Sequence, residues 1–157
     1  MKFQTKESGS TLLEVLITVL VLATGLLAMG ALQTRSLQFN QSASMRTQAD
    51  IFASDIADRI RLNRGAKSAN VTKYNVDYDA SSPTTNAHAG ADITAWRNAM
   101  KKVLPDAKGK ISCADAPPTI TTRICTISIK WSEASLFGEH SLQNSDGQTE
   151  LTYTSSL

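Results

Sequence analysis

The side chains that most often carry out chemistry are sparse in this sequence of 157 residues. Its two histidines, His88 and His140, lie in loop-like sequence, and no third ligand stands at a metal-type spacing from either. Glu139 beside His140 is typical of a solvated surface pair. The sequence contains no phosphate-binding loop, nucleophile elbow or paired-cysteine zinc pattern. We therefore predict no enzymatic activity, no bound metal and no cofactor.

The cysteines point to an oxidising compartment. The only two, Cys113 and Cys125, lie close together in the polar C-terminal part of the chain. Such a pair fits a disulfide, which would place this part of the chain outside the cytoplasm. The alternative is two reduced thiols.

Glu14 is a carboxylate at the start of a long apolar run. The stretch from Val15 to Leu32 contains neither charge nor proline. As a helix it would be about 27 Å long, close to the thickness of the hydrocarbon core of a bilayer. We predict a single membrane span followed by a polar domain, with a buried core helix as the alternative. A carboxylate in a span costs roughly 2.5–3.5 kcal/mol at its centre, so the position of Glu14 requires an explanation.

The residues before the span do not form an ordinary secretory signal. In such a signal the small-residue cleavage site follows the apolar core. Here the small pair Gly9-Ser10 precedes it, after the leader MKFQTKESG. Cleavage at this point would leave the hydrophobic helix on the mature chain.

The stretch GSTLLE, from Gly9 to Glu14, resembles the cleavage motif of type IV prepilins and of the related pseudopilins of type II secretion. The resemblance implies that a prepilin peptidase cuts after Gly9 and methylates the new amine of Ser10. It also implies that Glu14 pairs with the N-terminal amine of a neighbouring subunit, since opposite charges gain far more from pairing in lipid than in water. Ser10 stands where phenylalanine is usual, which leaves its methylation open.

Glu14 also has an explanation that needs no partner. The residues Thr11-Leu12-Leu13-Glu14 fit a capping box at the start of a helix, and the helix dipole favours a carboxylate there. The two roles can coexist.

Within the pilins, the start of the chain and residues 35–63 look most like the PilV group of minor pilins, the pilus modification proteins. That resemblance implies priming and assembly of a type IV pilus, with a place in the tip complex and a role in twitching motility. The implied partners are the prepilin peptidase, other minor pilins, the major pilin, the inner-membrane assembly machinery and membrane lipid. The protein would start as a single-pass inner-membrane protein with a periplasmic C-terminal domain and end in the extracellular pilus.

Three other functions remain open from the sequence. The first is a minor pseudopilin of type II secretion, which shares the same start. The second is a pilin-type adhesin or DNA-binding subunit that acts through residues 66–91. That segment carries only Lys67 and Lys73 as basic residues, so we expect no nucleic-acid partner. The third is an uncleaved, membrane-anchored protein unrelated to filaments.

Apolar periodicity predicts that the helix continues beyond the membrane, from about Thr11 to Arg64, with Gly65 as its stop. From Leu37 onward, its inner stripe contains Met45, Ala49, Phe52, Ile56, Ile60 and Asn63. Residues 66–91 are predicted to be mostly loop. A short helix is then predicted from Ile93 to Leu104, with Asp92 as its N-cap.

The C-terminal third is predicted to form strands. Alternation from Ile124 to Trp131 places Cys125, Ile127, Ile129 and Trp131 on one face. Weaker strand patterns occur at residues 111–113 and at residues 148–154, the latter entered through Asp146-Gly147. The predicted fold is α+β and pilin-like: a long N-terminal helix, transmembrane in its first half, packed on a small antiparallel sheet. We assign residues 1–9 to the leader, 10–35 to the transmembrane and filament-core helix, and 36–157 to the periplasmic globular domain.

Overall fold

The structure is a computed structural model, and it describes residues 10–64, 70–84, 86–115, 123–133 and 147–156. Its elements are α1 (Ser10–Leu62), a short 3₁₀ helix (Val71–Tyr74), α2 (Ala87–Lys101), β1 (Lys108–Asp115), β2 (Arg123–Ser132) and β3 (Gln148–Ser156). The chain divides into two compact units, Met1–Gln41 and Ser42–Leu157, and α1 contributes to both. The predicted leader, with Gly9, lies outside the described residues, as does the predicted helix stop at Gly65.

In the first unit, α1 exposes its apolar side chains. The large apolar residues from Leu12 to Leu32 are each between 49% and 75% exposed. The hydroxyl groups of Thr18 and Thr24 are satisfied within the helix, where they donate to the carbonyl oxygens of Val15 at 2.8 Å and Val21 at 2.9 Å. With a mean hydropathy of 2.5 over its most apolar window, the helix is long and apolar enough to cross a membrane. The predicted span is therefore confirmed in length and composition.

In the second unit, one face of α1 is buried in the domain core. The predicted stripe from Met45 to Ile60 does face this core, with Met45 and Phe52 at its half-buried margins. Five residues of this face are fully buried: Ala49, Ala53, Ile56, Ala57 and Ile60. Two of them, Ala53 and Ala57, were not part of the predicted stripe. The helix ends at Leu62, two residues before the predicted end at Arg64.

The three strands form an antiparallel sheet in the order β1-β2-β3. The inner face of β2 is the predicted one, because Cys125, Ile127, Ile129 and Trp131 are all completely buried. Gly147, immediately before β3, has a φ of 70°, the left-handed conformation that favours glycine in a turn. The α+β fold predicted from the sequence, a long helix packed on a small antiparallel sheet, is therefore confirmed and is consistent with a pilin-like fold.

The start of α2 was predicted wrongly. The helix begins at Ala87, and its N-cap is Asn86, whose side-chain oxygen accepts hydrogen bonds from the backbone N–H groups of His88 and Ala89 at 3.0 and 3.1 Å. The first turn is made of small and polar residues, so it adds no visible apolar period, although Ala89 is fully buried. Asp92 lies inside the helix. His88 is helical too, and not in a loop.

The prediction of loop for residues 66–91 is also partly wrong. Val71 and Tyr74, in the 3₁₀ helix, are completely buried, and they belong to the same core as the two tryptophans. Trp96 on α2 joins this core to α1 through a hydrogen bond from its indole N–H to the carbonyl oxygen of Phe52 at 2.9 Å. Val71 and Tyr74 are thus placed by packing with residues far from them in sequence, and the segment shows no period of its own.

Candidate functional site

Glu14 lies on the exposed surface of α1 among apolar side chains. Its neighbours Leu13 and Val15 are 63% and 61% exposed. Ser10 is already helical, so Thr11 is not at the N-cap position that a capping box requires. Neither Thr11 nor Glu14 forms a side-chain hydrogen bond or ion pair that involves the described part of the chain.

The surface around Glu14 is apolar and exposed. Burying one large aliphatic side chain contributes about 1.5–3 kcal/mol. The exposed large side chains along the first part of the helix are Leu12, Leu13, Val15, Leu16, Ile17, Val19, Leu20, Val21, Leu22, Leu26, Leu27, Met29 and Leu32. Their combined burial would far exceed the cost of one carboxylate, and the helix that carries them is long and apolar enough to cross a membrane. Ser10 is the first described residue of the same helix.

Cys113 and Cys125 form a disulfide, as predicted. They occupy opposite positions in the pairing of β1 with β2, and they are 4% and 0% exposed. The bond closes a loop with a sequence separation of 12 residues. In the chain-entropy description such a loop stabilises the fold by on the order of 3 kcal/mol.

A segment that the sequence reasoning missed crosses the free side of β1. We call residues 75–80 the strap. Val76 exchanges two backbone hydrogen bonds with Ile111, both of 2.9 Å. The side chain of Asn75 accepts from the N–H of Cys113 at 2.6 Å and donates to its carbonyl oxygen at 3.1 Å. The only sequence signal for the strap is the apolar pair Val76 and Tyr78 in an otherwise polar stretch.

Arg97 on α2 holds the strap from the other side. Its guanidinium donates to the carbonyl oxygens of Asp77 and Ala80 in the strap, and to that of Gly109 in β1 at 2.8 Å. Tyr78 then lies on the outer face of the sheet, where its hydroxyl donates to Glu150 at 2.7 Å and its ring lies 4.6 Å from the Lys130 ammonium. Burial and the bond to Glu150 raise the pKa of Tyr78.

A cleft of about 600 Å³ opens beside the strap. Its charged lining carries both signs: Asp79, Arg97, Lys101, Asp106 and Lys108. Lys108 and Asp79 neutralise each other through a 2.7 Å ion pair. Within the described segments, no three His, Cys, Asp or Glu side chains are grouped to hold a metal ion. Because charges of both signs line the cleft, its lining does not select ligands of one charge. His140 lies outside the described residues.

A polar network joins the end of α1 to α2 through Tyr74. Its hydroxyl accepts from Asn63 at 2.9 Å and donates to Asp92 at 2.6 Å, and Asp92 lies 3.5 Å from Arg59. Burial, followed by the hydrogen bond to Asp92, raises the pKa of Tyr74 to about 12. The neutral hydroxyl of Tyr74 therefore links the two helices by hydrogen bonds.

Searches against protein-family models, curated proteins and solved structures find no match to this chain.

Proposed function

We propose that the chain is a minor pilin of a type IV pilus, which is cleaved by a prepilin peptidase and acts in the priming and assembly of the filament. The observation that carries the proposal is the position of Glu14. It follows a Gly9-Ser10 cleavage motif, has no intramolecular partner among the described residues, and begins a helix whose apolar side chains are exposed.

In this proposal, assembly provides the carboxylate of Glu14 with a partner of opposite charge. Cleavage after Gly9 creates a positively charged amine on Ser10, and the amine of a neighbouring subunit pairs with Glu14. At a separation of 4 Å and an effective dielectric constant of 20, such a pair gains about 4 kcal/mol. This gain offsets the cost of placing the carboxylate in lipid, which is roughly 2.5–3.5 kcal/mol. The subunit would therefore enter a filament more readily than it would remain alone in the membrane.

The proposed location follows from the helix and the disulfide together. The apolar helix would anchor the protein in the inner membrane, and a buried Cys113–Cys125 bond fits a periplasmic domain. The proposed partners are the peptidase, other minor pilins, the major pilin, the assembly machinery and lipid. The filament would then carry the subunit to its tip, where it would support twitching motility.

The first test is the N-terminus of the protein extracted from membranes of its native host, with and without the prepilin peptidase. We expect intact mass and N-terminal sequencing to give a chain that starts at Ser10 only when the peptidase is present. A Met1 terminus in both strains would contradict the proposal.

The second test separates cleavage from assembly. Glu14→Gln removes the charge and keeps the size of the side chain, while Thr18→Ala, one turn later, removes a hydroxyl that already bonds within the helix. We expect Glu14→Gln to be cleaved normally and to fall at least about tenfold in the sheared pilus fraction, since 1.4 kcal/mol is tenfold in an equilibrium. Thr18→Ala should assemble like the wild type.

Equal incorporation of the two variants would show that Glu14 does not pair subunits. Rescue of protein secretion, without rescue of piliation, would instead assign the chain to the pseudopilins of type II secretion.

A further inference from the structure

The Cys113–Cys125 disulfide is almost completely buried in the domain. Cys113 is 4% exposed, and Cys125 is not exposed at all. Both residues belong to the core cluster that also contains Val71 and Tyr74 of the 3₁₀ helix. A thiol can therefore exchange with this disulfide only after some part of the fold has opened.

The strand register determines the direction from which each sulfur can be attacked. Thiol–disulfide exchange begins when a thiolate attacks one sulfur of the bond. The thiolate approaches in line with the bond, from the side opposite to the sulfur that leaves. Cys113 and Cys125 lie opposite each other on β1 and β2, so their bond runs across the sheet between these strands. The approach to Cys113 is therefore from the outer side of β1, and the approach to Cys125 is from the side of β3.

The approach to Cys125 is blocked by the sheet itself. β2 is the central strand, and Cys125 pairs with Ser155 of β3. Ser155 is 8% exposed, and its hydroxyl accepts a hydrogen bond from Arg61 of α1 at 2.7 Å. A reagent would reach this side of the bond only after β3 had separated from β2 or the whole domain had unfolded.

The approach to Cys113 is blocked by residues 71–80, which comprise the 3₁₀ helix and the strap. The 3₁₀ helix packs on β1. In the described part of the chain, the pair between Val76 and Ile111 provides the only backbone hydrogen bonds from residues 71–80 to β1. At Cys113 itself, the contact is made by the side chain of Asn75. A segment held in this way opens at a lower free energy than a central strand that is bonded along both of its sides.

We propose that Cys113 is a thiol-exchange site, which a dithiol reaches through local opening of residues 71–80. A thiolate of the dithiol attacks Sγ of Cys113, the bond to Cys125 breaks, and Cys125 leaves as a thiolate. The second thiol then attacks the mixed disulfide and releases Cys113. The dithiol is oxidised to a disulfide, and its two protons and two electrons pass to the two cysteines.

The opening takes place within the unit Ser42–Leu157. It depends neither on cleavage after Gly9 nor on Glu14. The proposed function and the proposed exchange site can therefore fail separately, and the experiments below use no readout of processing or piliation.

The first experiment measures how fast dithiothreitol reduces the disulfide of the full chain in detergent, with alkylation of the free thiols and intact mass as the readout. For the wild type, we expect the logarithm of the reduction rate to rise with urea less steeply than the logarithm of the global unfolding constant, because local opening exposes less surface. Asn75→Ala should raise the reduction rate about tenfold, which corresponds to about 1.4 kcal/mol in the opening equilibrium.

The matched control is Leu151→Ala on β3, two strands away from the strap. Leu151 packs against the core, so its truncation lowers the global stability and weakens the side of the sheet next to Cys125. If the exchange proceeds through residues 71–80, Leu151→Ala should leave the reduction rate in the absence of urea unchanged.

The second experiment identifies the sulfur that is reached. Cys125→Ser leaves a single thiol at Cys113, and Cys113→Ser leaves a single thiol at Cys125, so the two variants lose the same bond. Each is treated with Ellman's reagent under native conditions. We expect the thiol of Cys113 to react at least about tenfold faster, a ratio that requires only about 1.4 kcal/mol between the two openings.

The outcomes that would overturn the proposal are distinct. A reduction rate with the urea dependence of global unfolding, raised by both Asn75→Ala and Leu151→Ala in proportion to their lost stability, would show that the bond is reached only in the unfolded chain. A rate in Asn75→Ala equal to that of the wild type would show that the strap does not control access. A thiol at Cys125 that reacts as fast as the one at Cys113, or faster, would overturn the assignment of Cys113.

Discussion

Replacing Gly109 with alanine should destabilise the domain by forcing Trp96 out of its place. A Cβ atom at Gly109 would lie 2.3 Å from Cη2 and 2.4 Å from Cζ3 of the Trp96 ring, and 2.8 Å from the terminal methyl of Met100. Trp96 is fully buried, so no flexible end can yield. The ring must move by about 1 Å to restore ordinary contact.

The expected loss of stability follows from the contacts that this movement of the Trp96 ring breaks. The indole N–H of Trp96 donates to Phe52 at 2.9 Å, and a shift of about 1 Å takes the pair beyond hydrogen-bond distance. Overpacking costs about 1–3 kcal/mol, and a buried N–H without a partner costs about 1–3 kcal/mol. The lower entropy of the unfolded alanine chain returns about 0.4–1 kcal/mol. We expect a net loss of about 1–6 kcal/mol, and a value in the middle of this range lowers Tm by roughly 10 °C.

The assay is thermal unfolding of the full chain in detergent, followed by near-ultraviolet circular dichroism of the tryptophans. Gly25→Ala is the matched control, because nothing lies within 4 Å of an added Cβ there. The double variant Gly109→Ala/Trp96→Phe should lose less stability than the sum of its single variants, since the smaller ring removes the clashing atoms. A Gly109→Ala chain that melts within 1 °C of the wild type, or costs that add in full, would refute this reasoning.

Three further perturbations have defined outcomes. The pKa of Tyr74 is raised to about 12 in the fold, from 10.0 in an unfolded chain, so its contribution is present below pH 10 and is lost as the pH rises through 12. In urea unfolding, the wild type should lose about 3 kcal/mol more over that range than Tyr74→Phe, since Tyr78, whose pKa is also raised, contributes equally to both chains. An equal loss in the two chains would contradict the role of Tyr74. Replacing both Cys113 and Cys125 with serine should lower the free energy of unfolding by on the order of 3 kcal/mol, and a reductant should then have no further effect, whereas an unchanged stability would contradict the role of the bond. Asn75→Ala should lower the free energy of unfolding by about 1–3 kcal/mol, because it leaves the buried N–H of Cys113 without a partner. The rate of hydrogen exchange at that amide should rise. An unchanged exchange rate would argue against the strap as the cover of β1.

The pattern of consecutive residues was sufficient to predict those features that depend on a single helix or strand. The uncharged run after Glu14 predicted the apolar helix, because length and hydropathy are properties of consecutive residues. The alternation in β2 predicted its buried face, because side chains on a strand alternate with a period of two. The two cysteines predicted their bond, since they are the only pair in the chain.

Only the tertiary structure decided the features that depend on residues far apart. Asn75 forms a hydrogen bond with Cys113, which is 38 residues away in sequence, and no local pattern around either residue predicts this contact. The start of α2 depended on the Asn86 cap and on burial of Ala89, which a small side chain does not signal in a hydropathy pattern. The closed outer side of β1 follows from the position of the strap. The sequence by itself therefore determined the apolar helix and the strands, whereas the contacts that close the outer side of β1 emerged only when the elements packed together.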